Sequence, residues 1–418
     1  SPEGSRTAAY ELLEQLGVRW FMPGETGRVV PERNTVTLAP LRIARVPSFR
    51  YRRPSEARDG PKNAEWNQRL GLGGVGRRAG SHGMPGAPAR SEHPEYWGLH
   101  PDGRRGANQL CLTGSHDDPD DPSDPEQNFV LKSVIEAALA YYRRAEDPDT
   151  AILHAGPRDG GGFCECSMCR ALDAPDHHTT MFRTPSASRT DRYVWFFEQV
   201  LRHIENEFPK ARIGFYAYGA LLNPPSHAKY EPSKRLVISM TPIHVCRLHG
   251  PGNPNCPESD VLRWLYENWA PYVDEIVCQG YWYNLACPGY LFPLVHRLRE
   301  EIPLSKELGA TGLYLGGGAA GAWASHNPAA YVAGKLQWDH AADVEQVLAD
   351  FYEKYYGPAE APMAAYHTLM ETTIRDADCH TGSSWDIPNI YTAETRERGK
   401  RYLAEAERLA IASGREIY

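Results

Sequence analysis

The sequence predicts an α/β protein built on a (β/α)8 TIM-type barrel, preceded by the end of a small α/β domain and followed by a helical region. Three observations carry this expectation. Eight short apolar runs alternate with helical patterns between residues 42 and 340, no run is long enough for a membrane helix, and residues 341–418 carry helical patterns separated by Pro358 and a loop at 378–388. At 418 residues the chain can hold a barrel of about 250 residues with parts to spare.

Residues 6–16 (RTAAYELLEQL) are apolar at helical spacing, and Gly17 supplies a C-terminal stop. Val18-Arg19-Trp20-Phe21 then reads as a short strand ended by Met22-Pro23-Gly24. One helix and one strand cannot bury a core, so residues 1–41 read as the closing piece of an α/β domain. The eight barrel runs fall at 49–53, 73–77, 109–113, 151–156, 212–218, 236–243, 275–281 and 312–315. Helical patterns fall at 64–70, 126–144, 190–208, 259–272 and 293–308, the third with Thr190 as its expected cap and Val194, Phe197, Val200, Leu201 and Ile204 as its apolar stripe. Beyond the barrel, residues 343–356, 361–375 and 392–412 read as helices.

The formal net charge of −8 leaves no basic footprint for nucleic acid, and the Arg-rich stretch 42–58 is interleaved with acids and reads as a solvated face. No apolar run approaches the ~20 residues that cross a bilayer, so no transmembrane segment is expected. Ten Trp and 23 Tyr accompany only 11 Phe. Rings with both a flat apolar face and a polar edge suit sugars and wet clefts.

Barrel enzymes keep their chemistry where strands end. The second run is followed by His82 and the third by His116, Asp117 and Asp118. The fourth ends in Arg158-Asp159 before three glycines, the fifth in Tyr216 and Tyr218, and the sixth in His244. The seventh ends in Tyr281-Trp282-Tyr283-Asn284, and the eighth is followed by Trp323. This set is aromatic and short of carboxylates, whereas glycosidic cleavage normally needs two. Asp159 is the best-placed acid, with Glu165 as its candidate partner. Asp159 has a second reading, as a residue that forms its own turn. His82, His116 and Asp117 also allow a metal-dependent hydrolase.

Cys164, Cys166 and Cys169 stand in a C-x-C-x-x-C spacing. Three readings are open for them: a structural zinc with His154, His177 or His178 as the fourth ligand, a disulfide within the cluster, or buried thiols. Cys111, Cys246 and Cys278 read as buried thiols, and Cys256 could pair with Cys287. No cofactor is required by the barrel reading itself.

Five segments in order, TAAYELLEQLGVRWFMPGETGRVVP (7–31), HPEYWGL (93–99), QLCLTG (109–114), RDGGGFCECSMC (158–169) and YVAGKLQWDHAADVEQVLADFYEKYYGPA (331–359), resemble the domain of unknown function 4838. That group overlaps glycoside hydrolase family 163, whose members are endo-β-N-acetylglucosaminidases. The resemblance implies a catalytic barrel, a glycan or glycoprotein substrate, and a secreted, periplasmic or cell-surface setting. It also implies a retaining, substrate-assisted mechanism in which the sugar's acetamido oxygen attacks the anomeric carbon. Asp159 stands where related sequences carry an Asp-Gly pair. The chain departs from the family after the eighth run, where relatives carry a glutamate and this sequence has Leu315-Gly316-Gly317-Gly318. The expectation is therefore a glycoside hydrolase acting on N-acetylhexosamine-containing glycans, with a catalytically silent carbohydrate-binding barrel as its alternative.

Overall fold

A computed structural model describes residues 2–38, 40–53, 61–74, 79–114, 120–174, 178–181, 184–226, 233–243, 245–281, 291–316, 327–380 and 387–414. Thirteen strands follow in chain order: β1 (Arg19–Trp20), β2 (Arg28–Val29), β3 (Tyr51–Arg53), β4 (Gly73–Gly74), β5 (Trp97–Leu99), β6 (Arg105–Leu110) and β7 (Ile152–His154). Then come β8 (His178–Met181), β9 (Thr184–Ala187), β10 (Arg212–Ala217), β11 (Leu236–Met240), β12 (Glu275–Tyr281) and β13 (Gly312–Gly316). The chain is a mixed α/β protein with a helical C-terminal region, and it divides into two compact units.

One unit comprises Arg77–His244 and Trp264–Gln279. Its centre is a run of parallel pairings, β7 with β10, β10 with β11, and β11 with β12. All five residues of β11 (LVISM) are buried, as expected of a parallel strand covered on both faces. Helix Thr190–Ile204 places Val194, Phe197, Val200 and Leu201 in the core, where Phe197 and Phe215 meet with ring centroids 5.1 Å apart. Its first helical residue is Thr190 itself, with Arg189 before it; the Thr190 hydroxyl donates to the Asn223 carbonyl at 2.7 Å and does not cap the helix as expected. From helix Phe129–Arg144, the Tyr142 hydroxyl donates to the Arg212 carbonyl at 2.5 Å and accepts from the amides of Arg212 and Leu153. One hydroxyl thereby joins the first residues of β7 and β10.

The expected third barrel run is different. Residues 105–110 form β6, which pairs antiparallel with β5 in a separate two-stranded sheet. The apolar residues from Leu110 onward gave a strand signal, but its partner is the adjacent hairpin strand, so this segment does not extend the parallel set.

The other unit comprises Ser1–Gly76, Val245–Arg263 and Gly280–Tyr418. Here β13 pairs parallel with β3, and β3 pairs antiparallel with the two-residue β4. Among the described residues six strands take part in parallel pairing, β7, β10, β11 and β12 in one set and β3 with β13 in the other. Strands β1 and β2 form a hairpin. Trp20 and Phe21 are buried with Trp66, Leu70, Tyr331 and Phe351 in one apolar cluster, and the Trp66 indole N–H donates to the Trp20 carbonyl at 2.8 Å.

The helical region contains Ala329–Trp338, Val344–Phe351, Glu360–Arg375 and Ala393–Ala412. The pattern at 343–356 predicted one helix. The α-helix instead stops at Phe351 and loosens into a π-helical turn, Tyr352–Tyr356, before Gly357 at φ 53° and Pro358, which cannot continue a helix. No helix among the described residues is long and apolar enough to cross a membrane.

Candidate functional site: a strand-end acid and a tetracysteine cluster

Strand β7 ends at His154, and the loop that follows carries Arg158 and Asp159. Two neighbours on β6 hold this loop by its main chain. Asn108 Nδ2 donates to the carbonyls of Asp159 (3.0 Å) and Gly161 (3.3 Å). Gln109 Nε2 donates to the carbonyls of Arg158 (2.8 Å) and Gly160 (3.1 Å), while its Oε1 accepts from the Arg158 amide at 2.8 Å. Gly162 lets the loop lie this close: its φ is 80°, and a Cβ there would stand 3.0 Å from the Asn108 amide nitrogen. The loop thus uses its backbone to stay in place and leaves the Asp159 side chain exposed. Among the described residues no side chain hydrogen-bonds or ion-pairs with that carboxylate, so the turn is held by β6 and not by Asp159 itself.

Of the residues expected from neighbouring strand ends, Tyr218 stands close enough to feel the Asp159 charge, and His82 lies beside both Tyr216 and Tyr218. The His82 ring lies 4.9 Å from that of Tyr216 and 6.2 Å from that of Tyr218. Burial raises the Tyr218 phenol above its ordinary range, and the negative charge of Asp159 adds to the effect. His82 is brought to the end of β10 by Gly80, whose amide donates to His154 Nδ1 at 3.0 Å. Gly80 has φ 102°, and a Cβ on it would meet the Tyr216 amide nitrogen at 2.8 Å, so only glycine fits. Arg158 lies over the Trp97 ring at 5.4 Å, and Arg90 lies over the same indole at 5.8 Å. Trp97, both arginines, His82, Gln109 and Tyr193 contribute to a cleft of about 260 Å³.

Glu165 occupies a different environment. Its carboxylate accepts from Arg189 Nη2 at 2.9 Å, in a network where Arg189 and Arg192 both engage Asp173. Arg192 Nε reaches Asp173 at 2.7 Å, and its Nη1 donates to the Cys164 carbonyl at 2.8 Å. Tyr281 closes β12 and is half-buried. His244, Trp282, Tyr283, Asn284 and Trp323, like His116 and Asp117, lie outside the described residues.

The three cysteines of the loop are buried and gather around a fourth, Cys111. Cys111 Sγ lies 3.8 Å from Cys166 Sγ and 3.9 Å from Cys169 Sγ, and all four sulfurs fall within 4.8 Å of one another. A disulfide needs about 2.05 Å, so these are free thiols. Hydrogen bonding among the sulfurs splits them. Sharing with Cys111 pulls Cys164 down to about 6 and Cys166 lower still, while Cys111 and Cys169 are pushed up as donors, Cys111 also facing the Gly114 carbonyl. Arg105 approaches Cys164 at 3.9 Å and helps to balance negative charge. The cluster is able to hold a metal ion.

The expected fourth ligand is corrected here. His154 Nδ1 accepts the Gly80 amide, whereas Cys111 faces the other sulfurs. His177 and the side chain of His178 lie outside the described residues. Cys111 was legible only as a buried thiol, because it stands 53 residues before Cys164 and nothing local joins them. Trp97, Asn108 and Gln109 were not anticipated as site residues either; Trp97 and Gln109 belong to the HPEYWGL and QLCLTG segments, which gave no indication of the hairpin between them, and Asn108 lies just before the second.

These features define an α/β protein with an acid at a parallel strand end, an aromatic-lined cleft and a buried tetracysteine cluster. The family model for a domain of unknown function, DUF4838, matches residues 22–368, and the chain belongs to that family. No curated protein and no solved structure matches it.

Proposed function

We propose that this chain is a glycoside hydrolase-like protein acting on glycans, with N-acetylhexosamine-containing chains as its substrate class and the parallel strands as part of a (β/α)8 barrel. One observation carries the reading: the exposed Asp159 carboxylate, fixed only through its backbone, stands at a strand end with His82, Tyr216 and Tyr218. A carboxylate so placed can accept a hydrogen bond from a sugar acetamide, orienting its oxygen toward the anomeric carbon; the same group in its protonated form can instead give its proton to a leaving oxygen. The Tyr and His rings offer faces and polar edges to a pyranose. Arg158, stacked on Trp97, adds a cation at the rim of the cleft. The exported setting implied by the family resemblance belongs to the same reading.

The tetracysteine cluster fits a structural zinc that braces the loop. With Zn–S bonds of about 2.3 Å, sulfurs at the corners of a tetrahedron stand about 3.8 Å apart. Two of the sulfur pairs lie at 3.8 and 3.9 Å. Bound there, the ion would crosslink the end of β6 to the segment that carries Asp159, with Arg105 and Arg192 near its thiolates.

A second reading, a carbohydrate-binding barrel without turnover, is favoured by one observation: Glu165, the expected partner acid, is tied to Arg189. Asp159→Asn decides between them. The hydrolase reading expects loss of hydrolysis of N-glycans and chitooligosaccharides by at least about 10²-fold with binding retained. Hydrolysis retained in the variant overturns the assignment of Asp159, and glycan binding by a wild-type protein that forms no product supports the silent barrel.

A further inference from the structure

A second cluster, in the other unit and outside the site just described, combines Cys246, His249, Cys256 and His380. We infer that these four side chains form a tetrahedral Cys2His2 site that binds a structural Zn²⁺ ion. One ligand atom from each lies within 4.8 Å of every other. Cys246, His249 and Cys256 are 2%, 4% and 4% exposed, and His380 is half-buried.

Geometry distinguishes this group from a chance hydrogen bond. Cys246 Sγ stands 3.4 Å from His249 Nδ1. Bonds of about 2.3 Å to sulfur and 2.0–2.1 Å to nitrogen put such a pair about 3.6 Å apart on a tetrahedral zinc. A thiol-to-imidazole hydrogen bond would account for that pair alone. It leaves the buried Nδ1 of His380, which has no hydrogen-bond partner among the described residues. A cation at the centre engages all four at once. The expected pairing of Cys256 with Cys287 is not what its surroundings provide, since Cys256 is a free thiol in this group and Cys287 lies outside the described residues.

The ligands are also held ready. His249 Nε2 donates to the Ala377 carbonyl at 3.0 Å, which leaves the lone pair on Nδ1 facing Cys246. This outer hydrogen bond is the usual support of a zinc-bound histidine. Glu258 accepts from the Cys246 amide at 2.6 Å, and Asn253 Nδ2 donates to the Arg375 carbonyl at 3.2 Å. The loop carrying three ligands is thereby laid against the segment after helix Glu360–Arg375, which carries the fourth. Two cysteines with two histidines select zinc over oxygen-preferring ions such as Mg²⁺ or Ca²⁺. The ion would crosslink segments more than a hundred residues apart.

The test is metal analysis of the full chain, produced with zinc and passed through a weak chelator to strip loosely held ions. The expected content is about two zinc ions per chain. His249→Ala and Cys256→Ser should each remove one of the two, and Cys166→Ser should remove the other. A wild-type content that His249→Ala and Cys256→Ser leave unchanged overturns the site. Should the variants fail to fold, X-ray absorption at the zinc edge of the wild-type protein decides. Two filled sites give a mean of about three sulfurs and one nitrogen per zinc, and a mean of about four sulfurs leaves the Cys2His2 group without metal and overturns the proposal. An intact mass showing a disulfide between Cys246 and Cys256 overturns it as well.

Discussion

Gln109 and Arg158 exchange two hydrogen bonds of 2.8 Å, amide side chain against backbone, so that a hairpin strand grips the loop bearing the candidate acid. Gln109 is 1% exposed, and replacing it removes both ends of that grip. Gln109→Leu should cost about 1–3 kcal/mol, the scale for orphaning buried backbone groups. Urea unfolding measures the loss, and glycan turnover should fall with it because Asp159 is no longer fixed. A variant as stable as the parent would mean that the loop is held from elsewhere.

Asp173 lies between two arginines, and the Arg192 side chain is 1% exposed. Asp173→Ala leaves both guanidinium groups without their shared anion in a low-dielectric setting. The expected destabilisation is about 3–5 kcal/mol, read as a lower denaturation midpoint. Removing Glu165 instead, whose side chain is 29% exposed, should cost at most about 1 kcal/mol.

His367 gives stability a pH dependence with a definite sign. It is 5% exposed, its Nε2 lies 2.9 Å from the Tyr356 hydroxyl, and burial pushes its imidazole down to about 4. The unfolded chain protonates this ring near its ordinary value of about 6.5, so between the two values the unfolded state binds more protons. Its contribution is therefore complete above about pH 6.5 and is lost as pH falls toward 4, by about 3 kcal/mol in total. Denaturation midpoints of wild type and His367→Gln compared over that window should converge toward the acid end. Parallel curves would exclude the effect.

Gly80→Ala tests how His82 is placed. The added methyl meets backbone at Tyr216 in a region of φ that side-chain-bearing residues avoid, so the segment must shift. A stability loss of about 1–3 kcal/mol is expected. Affinity for glycan should weaken as the His82–Tyr216 ring pair separates; unchanged affinity would remove His82 from the binding surface.

Much of the secondary structure was legible because its causes are local. Residues 275–281 carry a continuous apolar stretch and can be read as a strand with its full bounds, and the stripe in Thr190–Ile204 is buried where its spacing placed it. What was not legible depends on partners distant in sequence. Residues 109–113 look like one more barrel strand until Trp97–Leu99 is known to pair with residues 105–110. Cys111 carries no sign of Cys164, and His380 none of Cys246, since a metal-binding set can draw one member from anywhere the fold returns. Asp159, Tyr216 and Tyr218 could be placed after or at the close of their strands because those strands can be read from sequence. Glu165 was paired with Asp159 by proximity along the chain, and proximity does not say which way a side chain faces after a glycine-rich turn.

Every side-chain hydrogen bond that Asn108 and Gln109 make to the loop goes to a carbonyl or an amide N–H of residues 158–161. The identity of the side chain at position 159 is therefore irrelevant to how the loop is held. Position 159 behaves as an interchangeable socket: its acid can be traded for another group, or lost altogether, without removing any of the bonds beneath it.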